Sequence, residues 1–218
     1  MKKLILSAAL ASAVVFAPAF AGTTDNTKGK AKTEKVVKAD KTLKVNTGAS
    51  KIVWNGKKIA GEHSGNINIA NGNLLVAKNK LVGGTFDIDM NSITVTDITD
   101  PEYNGKLVGH LKNDDFFATD KFPKASFKIT SLAPIKGAKP GTNNYNVTGD
   151  LTIKGITKPV TFPAAIKVEG NKATAQGLAT VDRSKYDVKY ASKSFFESIG
   201  DKAIEDNFTL NFNVVANQ

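Results

Sequence analysis

The chain has 218 residues, a formal net charge of +10 and no cysteine. That length suits one domain with a single core, and the absence of thiols excludes disulfide frameworks, thiolate metal sites and lipid acylation at cysteine. Arg183 is the only arginine, so lysine carries the positive charge; with no basic stripe interleaved with aromatics, the balance fits solvated strand faces and attraction to an anionic membrane surface, and argues against nucleic acid, whose contacts lean on arginine.

Lys2 and Lys3, an apolar run over 4–16, and Ala19-Phe20-Ala21 form the three parts of a cleavable signal peptide, cut after Ala21. The run is too short for an ordinary transmembrane helix. A periplasmic or secreted protein is the expectation. Residues 22–42, rich in Lys and Thr and poor in bulky apolar side chains, read as a flexible leader. The domain is expected over 43–218.

From Leu43 the pattern is mainly β. Ile52, Trp54 and Gly56 share one face; His63, Gly65, Ile67 and Ile69 share another, alternating with polar residues. Asn71-Gly72 predicts a hairpin turn, with 74–77 returning as a strand. Gly83-Gly84 marks a bulge or a close backbone approach. Phe86, Ile88 and Met90 then alternate with Asp87 and Asp89. Over 97–118 the rhythm breaks: Asp100-Pro101 is a helix start, and Tyr103, Leu107, His110 and Leu111 recur at helical spacing over 101–113. Phe116-Phe117 follow and are expected to dock this helix on a barrel mouth. Pro123 precedes a strand with Phe127 and Ile129 inward, and 136–144 is an exposed turn.

The stretch 149–162, G-D-L-T-I-K-G-I-T-K-P-V-T-F, predicts a long hairpin. Tyr145, Val147, Leu151 and Ile153 alternate before Gly155, which opens a tight reversal. Pro159 lacks an N–H and is placed at the start of the returning strand. Val160, Phe162, Ala164 and Ile166 alternate after it. A further strand carries Ala173, Ala175, Gly177, Ala179 and Val181 on its dry face. Such small side chains leave volume unless neighbours such as Phe162, Phe208 and Phe212 fill it. Residues 182–199 are irregular, and Phe208, Leu210, Phe212 and Val214 line the last strand. About eight strands in antiparallel order, with one short helical excursion, are best closed into an up-and-down barrel, which removes exposed edges and has room for one small ligand. A β-sandwich is the alternative.

No catalytic constellation stands out. His63 and His110 are far apart, too few for a zinc site, and no G-x-S-x-G elbow is present. The carboxylates of 97–100 and 113–115 do not have EF-hand spacing. His63 on an inward face, His110 beside Phe116-Phe117, and Arg183 are the candidates to meet a polar head group; satisfied structural roles are the competing readings for all three. No cofactor is implied.

Five stretches resemble the YceI-like family: S-K-I-V-W-N-G-K-K-I-A-G-E-H-S-G from Ser50, L-V-G-G-T-F-D-I-D-M-N-S-I from Leu81, L-V-G-H-L-K-N-D-D-F-F-A-T-D-K-F-P-K-A-S-F from Leu107, the hairpin itself, and D-R-S-K-Y-D-V-K-Y-A-S from Asp182. The resemblance covers roughly 43–215. It implies a lipocalin-like, eight-stranded antiparallel barrel, exported, that binds a long apolar chain such as a polyisoprenoid or a fatty amide, with no catalytic residues to carry over. The expected wall comprises Trp54, His63, Ile67, Phe86, Ile88, Phe116, Phe117, Phe127, Leu151, Phe162, Ala175, Gly177 and Phe212. A carrier or reservoir for an isoprenoid or fatty-acyl lipid is the first functional reading. A filled-barrel interaction or stress-response protein and an enzyme acting on a lipid in the cavity are the others. A homodimer is left open.

Overall fold

The computed structural model describes residues 38–218. The signal peptide read over 1–21, and the leader as far as residue 37, lie outside the described residues. The first strand begins at Lys41, two residues inside the stretch read as leader.

Among the described residues there are nine strands: β1 (Lys41–Val45), β2 (Lys51–Lys58), β3 (Gly61–Ala77), β4 (Lys80–Asp89), β5 (Lys124–Pro134), β6 (Tyr145–Ile153), β7 (Ile156–Glu169), β8 (Lys172–Asp182) and β9 (Ile204–Asn217). Strands β2 to β9 each pair antiparallel with the next, and β9 returns to pair with β2. The ring is a closed eight-stranded barrel, not a sandwich. The ninth strand adds no stave. β1 runs in line with β2, pairing Leu43 with Leu74 of β3 and Val45 with Ala216 of β9. Where the stave breaks, the Ser50 hydroxyl donates to the Asn46 carbonyl at 2.7 Å and accepts from the Val215 amide at 3.0 Å. A side chain thus replaces the missing ladder bonds.

The helix α1 (Pro101–Lys112) starts where expected, its Asp100 cap accepting from the Glu102 and Tyr103 amides at 2.9 and 3.0 Å. Leu111 is buried against the barrel, but Tyr103 is exposed, so it does not belong to the packed face that its spacing suggested. The reversal at Lys154-Gly155 is a two-residue turn with both φ positive, closing the Ile153–Ile156 pair. Pro159 lies three residues inside β7, not at its start. It is tolerated there because 156–163 pair with β6 alone, β8 joining only from Ala164.

Asn71-Gly72 is not a turn. β3 runs straight through it, pairing Asn71 with Asp87 and Gly72 with Phe86, with a bulge at Ala70. The reversal lies at Lys78-Asn79, φ 50° and 57°. Gly72 is needed for packing: a Cβ there would sit 2.9 Å from Val45 Cγ2 and 3.0 Å from Phe86 Cδ1. The same relation recurs at Gly149, 2.3 Å from Phe127 Cζ, and at Gly177, 2.8 Å from Phe212 Cζ. Three rings lie against the wall where glycine leaves space for them. Gly83 and Gly84 show both expected features, since the ladder bulges at Val82 and a Cβ on Gly84 would meet the Asn73 carbonyl at 2.9 Å.

Candidate functional site

Inward residues of the staves enclose a cavity of about 230 Å³. Phe162, Phe208 and Phe212 line this space instead of filling it, which decides the question left by the small residues of β8. Ala175, Ala179 and Val181 form the thin wall, and four rings form the thick one: Phe86–Phe127 at 6.4 Å, Phe127–Phe162 at 5.6 Å and Phe162–Phe212 at 5.3 Å between centroids. The far end is closed by fully buried Leu43, Val76, Ala173 and Ala216. At the helical end the lining reaches half-exposed Gly56 and Ile204 and exposed Glu205, and this is the mouth.

Of the wall residues expected from sequence, Trp54, Ile67, Phe86, Ile88, Phe116, Phe117, Phe127, Leu151, Phe162, Ala175 and Phe212 line the cavity. Gly177 does not, because the Phe212 ring covers it. His63 does not either. It has the inward parity of Ile67, but it lies past the end of the cavity, where its Nδ1 meets Asp97 Oδ2 at 2.8 Å. The segment 94–97 runs along β3 there: Thr94 and Thr96 amides donate to Asn66 and Ser64 carbonyls, and Asp97 Oδ1 accepts from the Ser64 amide. Gly65 makes this possible, since its Cβ would lie 1.7 Å from the Thr94 carbonyl oxygen. That carbonyl accepts from Trp54 Nε1 at 3.0 Å, so the indole faces the cavity with its polar edge satisfied. Burial pushes the Asp97 carboxyl up, but the bonds from the Ser64 amide and the His63 ring outweigh it and hold the group below its ordinary value.

His110 also stays outside the lining. Its ring stands edge-on to Phe116 at 4.9 Å and Tyr190 at 4.5 Å, with Asp115 at 3.3 Å. Arg183 does border the cavity, yet four of its five N–H groups are taken by protein carbonyls. Only 3% exposed, it donates from Nε to the Glu205 carbonyl, from Nη1 to those of Val188 and Tyr190, and from Nη2 to that of Ile204, all within 2.8–3.0 Å. Asp206 lies 3.5 Å from Nη2. Burial lowers the guanidinium pKa, against the pull of Asp206 and Asp182. Four of its five N–H groups thus donate to backbone carbonyls of the loop and of β9, so Arg183 staples the loop 187–203 to β9.

Sequence reading missed Ile93, Leu111 and Glu205 in the lining. Ile93 and Leu111 come from segments without period two, and Glu205 is the polar residue at the opening. Among the described residues no three His, Cys, Asp or Glu side chains gather as a metal ion would require.

The YceI-like domain model matches residues 43–216. A UPF0312 protein of Photorhabdus laumondii is 33% identical over 101 residues, 46% of this chain and 49% of that one. Protein YceI of Escherichia coli is 40% identical over 62 residues, 28% and 29%. These matches thus span half or less of each curated relative. The crystal structure of Burkholderia cenocepacia BcnA superposes with a TM-score of 0.60 at 26% identity, covering 79% of this chain and 99% of that one. A polyisoprenoid-binding domain of Saccharophagus degradans, implicated in plant cell-wall breakdown, superposes at 0.58 with 13% identity, covering 80% and 97%; that likeness is one of fold. With the eight-stave ring, the helix after β4 and the hairpin at Lys154-Gly155 all inside the matched span, the chain belongs to the YceI-like family.

Proposed function

We propose that the protein is an exported binding protein that holds one long apolar chain, of the isoprenoid or fatty-acyl class, in its barrel as carrier or reservoir. The observation that carries this reading is the cavity: about 230 Å³, lined almost wholly by apolar side chains from every stave, closed at one end and open at the other. A hole of that size costs on the order of 5 kcal/mol in lost packing when nothing fills it. Each methylene placed inside returns roughly 0.8 kcal/mol, so an extended tail binds without specific polar contacts. His63, His110 and Arg183 are engaged by protein groups, which favours a ligand recognised by its tail over its head. The polyisoprenoid-binding domain with the same fold supports the ligand class, and the tripartite pattern of 1–21 supports export.

The test is native mass spectrometry of protein recovered from its own host without detergent, before and after organic extraction. A discrete added mass of prenyl or acyl composition is expected, removed by extraction and absent from a folded Ala175→Phe variant, whose ring fills the thin wall. A clean apo mass that persists when prenyl and acyl lipids are offered would overturn the carrier reading and favour the filled-barrel interaction protein.

A further inference from the structure

The mouth carries an apolar surface that the fold presents outward. Phe195 is 46%, Phe196 50% and Ile59 55% exposed. These residues are not on a frayed segment. The fully buried Ser192 accepts at its carbonyl from the Phe195 and Phe196 amides at 3.2 and 3.0 Å, and at its hydroxyl from the Ser194 amide at 3.2 Å. Ser194 in turn bonds Asp206. The turn is built, and it aims two phenylalanines at solvent. Ile59 belongs to the neighbouring β2–β3 turn, which is tied to the same loop by the Ile59 amide bonding the Ala203 carbonyl at 3.4 Å.

Lysines and carboxylates flank these side chains: Glu62, Asp187, Glu197 and Asp201 stand among the lysines, with Asp187 2.7 Å from Lys189 and Glu62 3.9 Å from Lys57, and the positive balance is that of the whole chain, at +10. Lys189 Nζ lies 5.2 Å from the Phe195 ring centroid, Lys193 and Lys202 are in the loop, and Lys57 and Lys58 precede Ile59; all are exposed. Exposed aromatic side chains with lysines among them, on a chain of net positive charge, match the boundary of a bilayer with anionic lipids, where rings enter the acyl edge and ammonium groups meet head-group phosphates. The rim is also continuous with the cavity. Lys58 pairs with Ile204 and Gly56 with Phe208, and Gly56, Ile204 and Phe208 all line the space inside. From Tyr190 in the loop, rings follow inward to Phe116 at 5.5 Å, Phe117 at 6.4 Å and Phe208 at 6.4 Å.

We infer that this rim, formed by Ile59, Phe195, Phe196 and the lysines around them, docks the barrel mouth on an anionic phospholipid surface, so that an apolar chain passes between bilayer and cavity without crossing water. The inference rests on the proposed lipid cargo, since it makes the bilayer the source or the destination of that cargo.

The experiment is vesicle co-sedimentation of the mature protein, with phosphatidylcholine alone and with phosphatidylglycerol added, beside a Phe195→Ser/Phe196→Ser variant and a Leu75→Ser control at the opposite end of the barrel. Binding to phosphatidylglycerol vesicles is expected, weakened by raised salt and about tenfold weaker in the double variant, with Leu75→Ser unaffected and all three proteins melting alike. In parallel, uptake of a fluorescent fatty acid is measured from dilute solution and from the vesicles. The double variant is expected to slow uptake from vesicles while leaving uptake from solution unchanged. A wild-type protein that ignores the vesicles, or a double variant that binds them as well as wild type, overturns the docking surface and assigns the patch to a protein partner. Failure of every protein to take up the fatty acid from solution while vesicle binding responds as expected counts against the cargo reading and leaves the membrane contact supported.

Discussion

The two ends of the barrel are built by different means. The far end is solid: Leu43, Val76, Ala173 and Ala216 are sealed from solvent, all within paired strands, and two of its three connections are two-residue turns, at 78–79 and 170–171. The mouth end is assembled from α1, the segment 93–97 and the loop 187–203, which bury Ile93, Val95, Leu111 and Val188 and are positioned by single hydrogen bonds between polar side chains and backbone atoms. The difference separates a foundation that stabilises from a rim that works. Apolar packing of adjacent strands makes the far end part of the global fold. At the mouth the backbone outside the ladder is positioned by single side-chain bonds as well as by packing, and regions without a ladder are the ones expected to open locally.

The largest effect is expected at the solid end. Leu43→Ala leaves a hole among fully buried neighbours and is expected to cost about 4 kcal/mol in chemical denaturation, with the whole barrel unfolding in one transition. A loss under about 1 kcal/mol would show that β1 is an appendage and not the plug. Arg183→Lys is the matching break at the mouth. An ammonium group has three donors on a flexible stem and cannot serve four carbonyls with the geometry of a planar fork. The expected effect is about 3 kcal/mol, read by hydrogen exchange as faster opening of amides in 188–204 with the ladder between β5 and β6 still protected. Uniform loss of protection across the barrel would contradict the division into two ends.

Gly149→Ala probes the packing of the interior. Its Cβ would lie 2.3 Å from Phe127 Cζ and 2.6 Å from the Lys128 carbonyl oxygen. The ring can swing away but the carbonyl cannot, so a loss of about 2 kcal/mol is expected. Phe127→Leu in the same chain should recover part of it. No recovery would place the strain wholly on the backbone.

These sites differ in how far sequence reveals them. The period of two in β2 to β9 gave the inward faces of Phe86, Phe127, Leu151, Phe162 and Phe212, because each side chain's direction depends only on its own strand. Asp100-Pro101 marked α1 for an equally local reason. Asn71-Gly72 was misread because the same glycine that favours a turn also makes room for Phe86 and Val45, a requirement set by a strand 14 residues away in the ladder pair Gly72–Phe86 and by β1. His63 had the right parity, but parity says nothing of depth along the barrel, which is set by where 94–97 crosses. The Arg183 staple was hidden because its partners are carbonyl oxygens, and every residue type carries one. The cavity itself was half legible: small residues on β8 signalled room, while the turning of the phenylalanines decided that the room stays open.

The smallest expected effect lies at the seam between 94–97 and β3. Asp97 is held below its ordinary carboxylate value of 3.8: burial opposes ionisation, and the Ser64 amide and His63 ring more than offset it. A carboxyl whose folded pKa is depressed adds stability that is fully present above the unfolded value and is lost as pH falls through the folded one. Asp97→Asn should therefore be less stable than wild type at neutral pH, and the gap should close as the solution is acidified below about 4. Both proteins keep some acid sensitivity, because the bond from Lys124 lowers Asp87 and the bond from Lys189 lowers Asp187. Thermal melts across that range check the sign. A gap that instead widens on acidification would mean that Asp97 is protonated more readily in the folded barrel than in the unfolded chain, and that the 94–97 segment is held by its two threonine amides without help from the carboxylate.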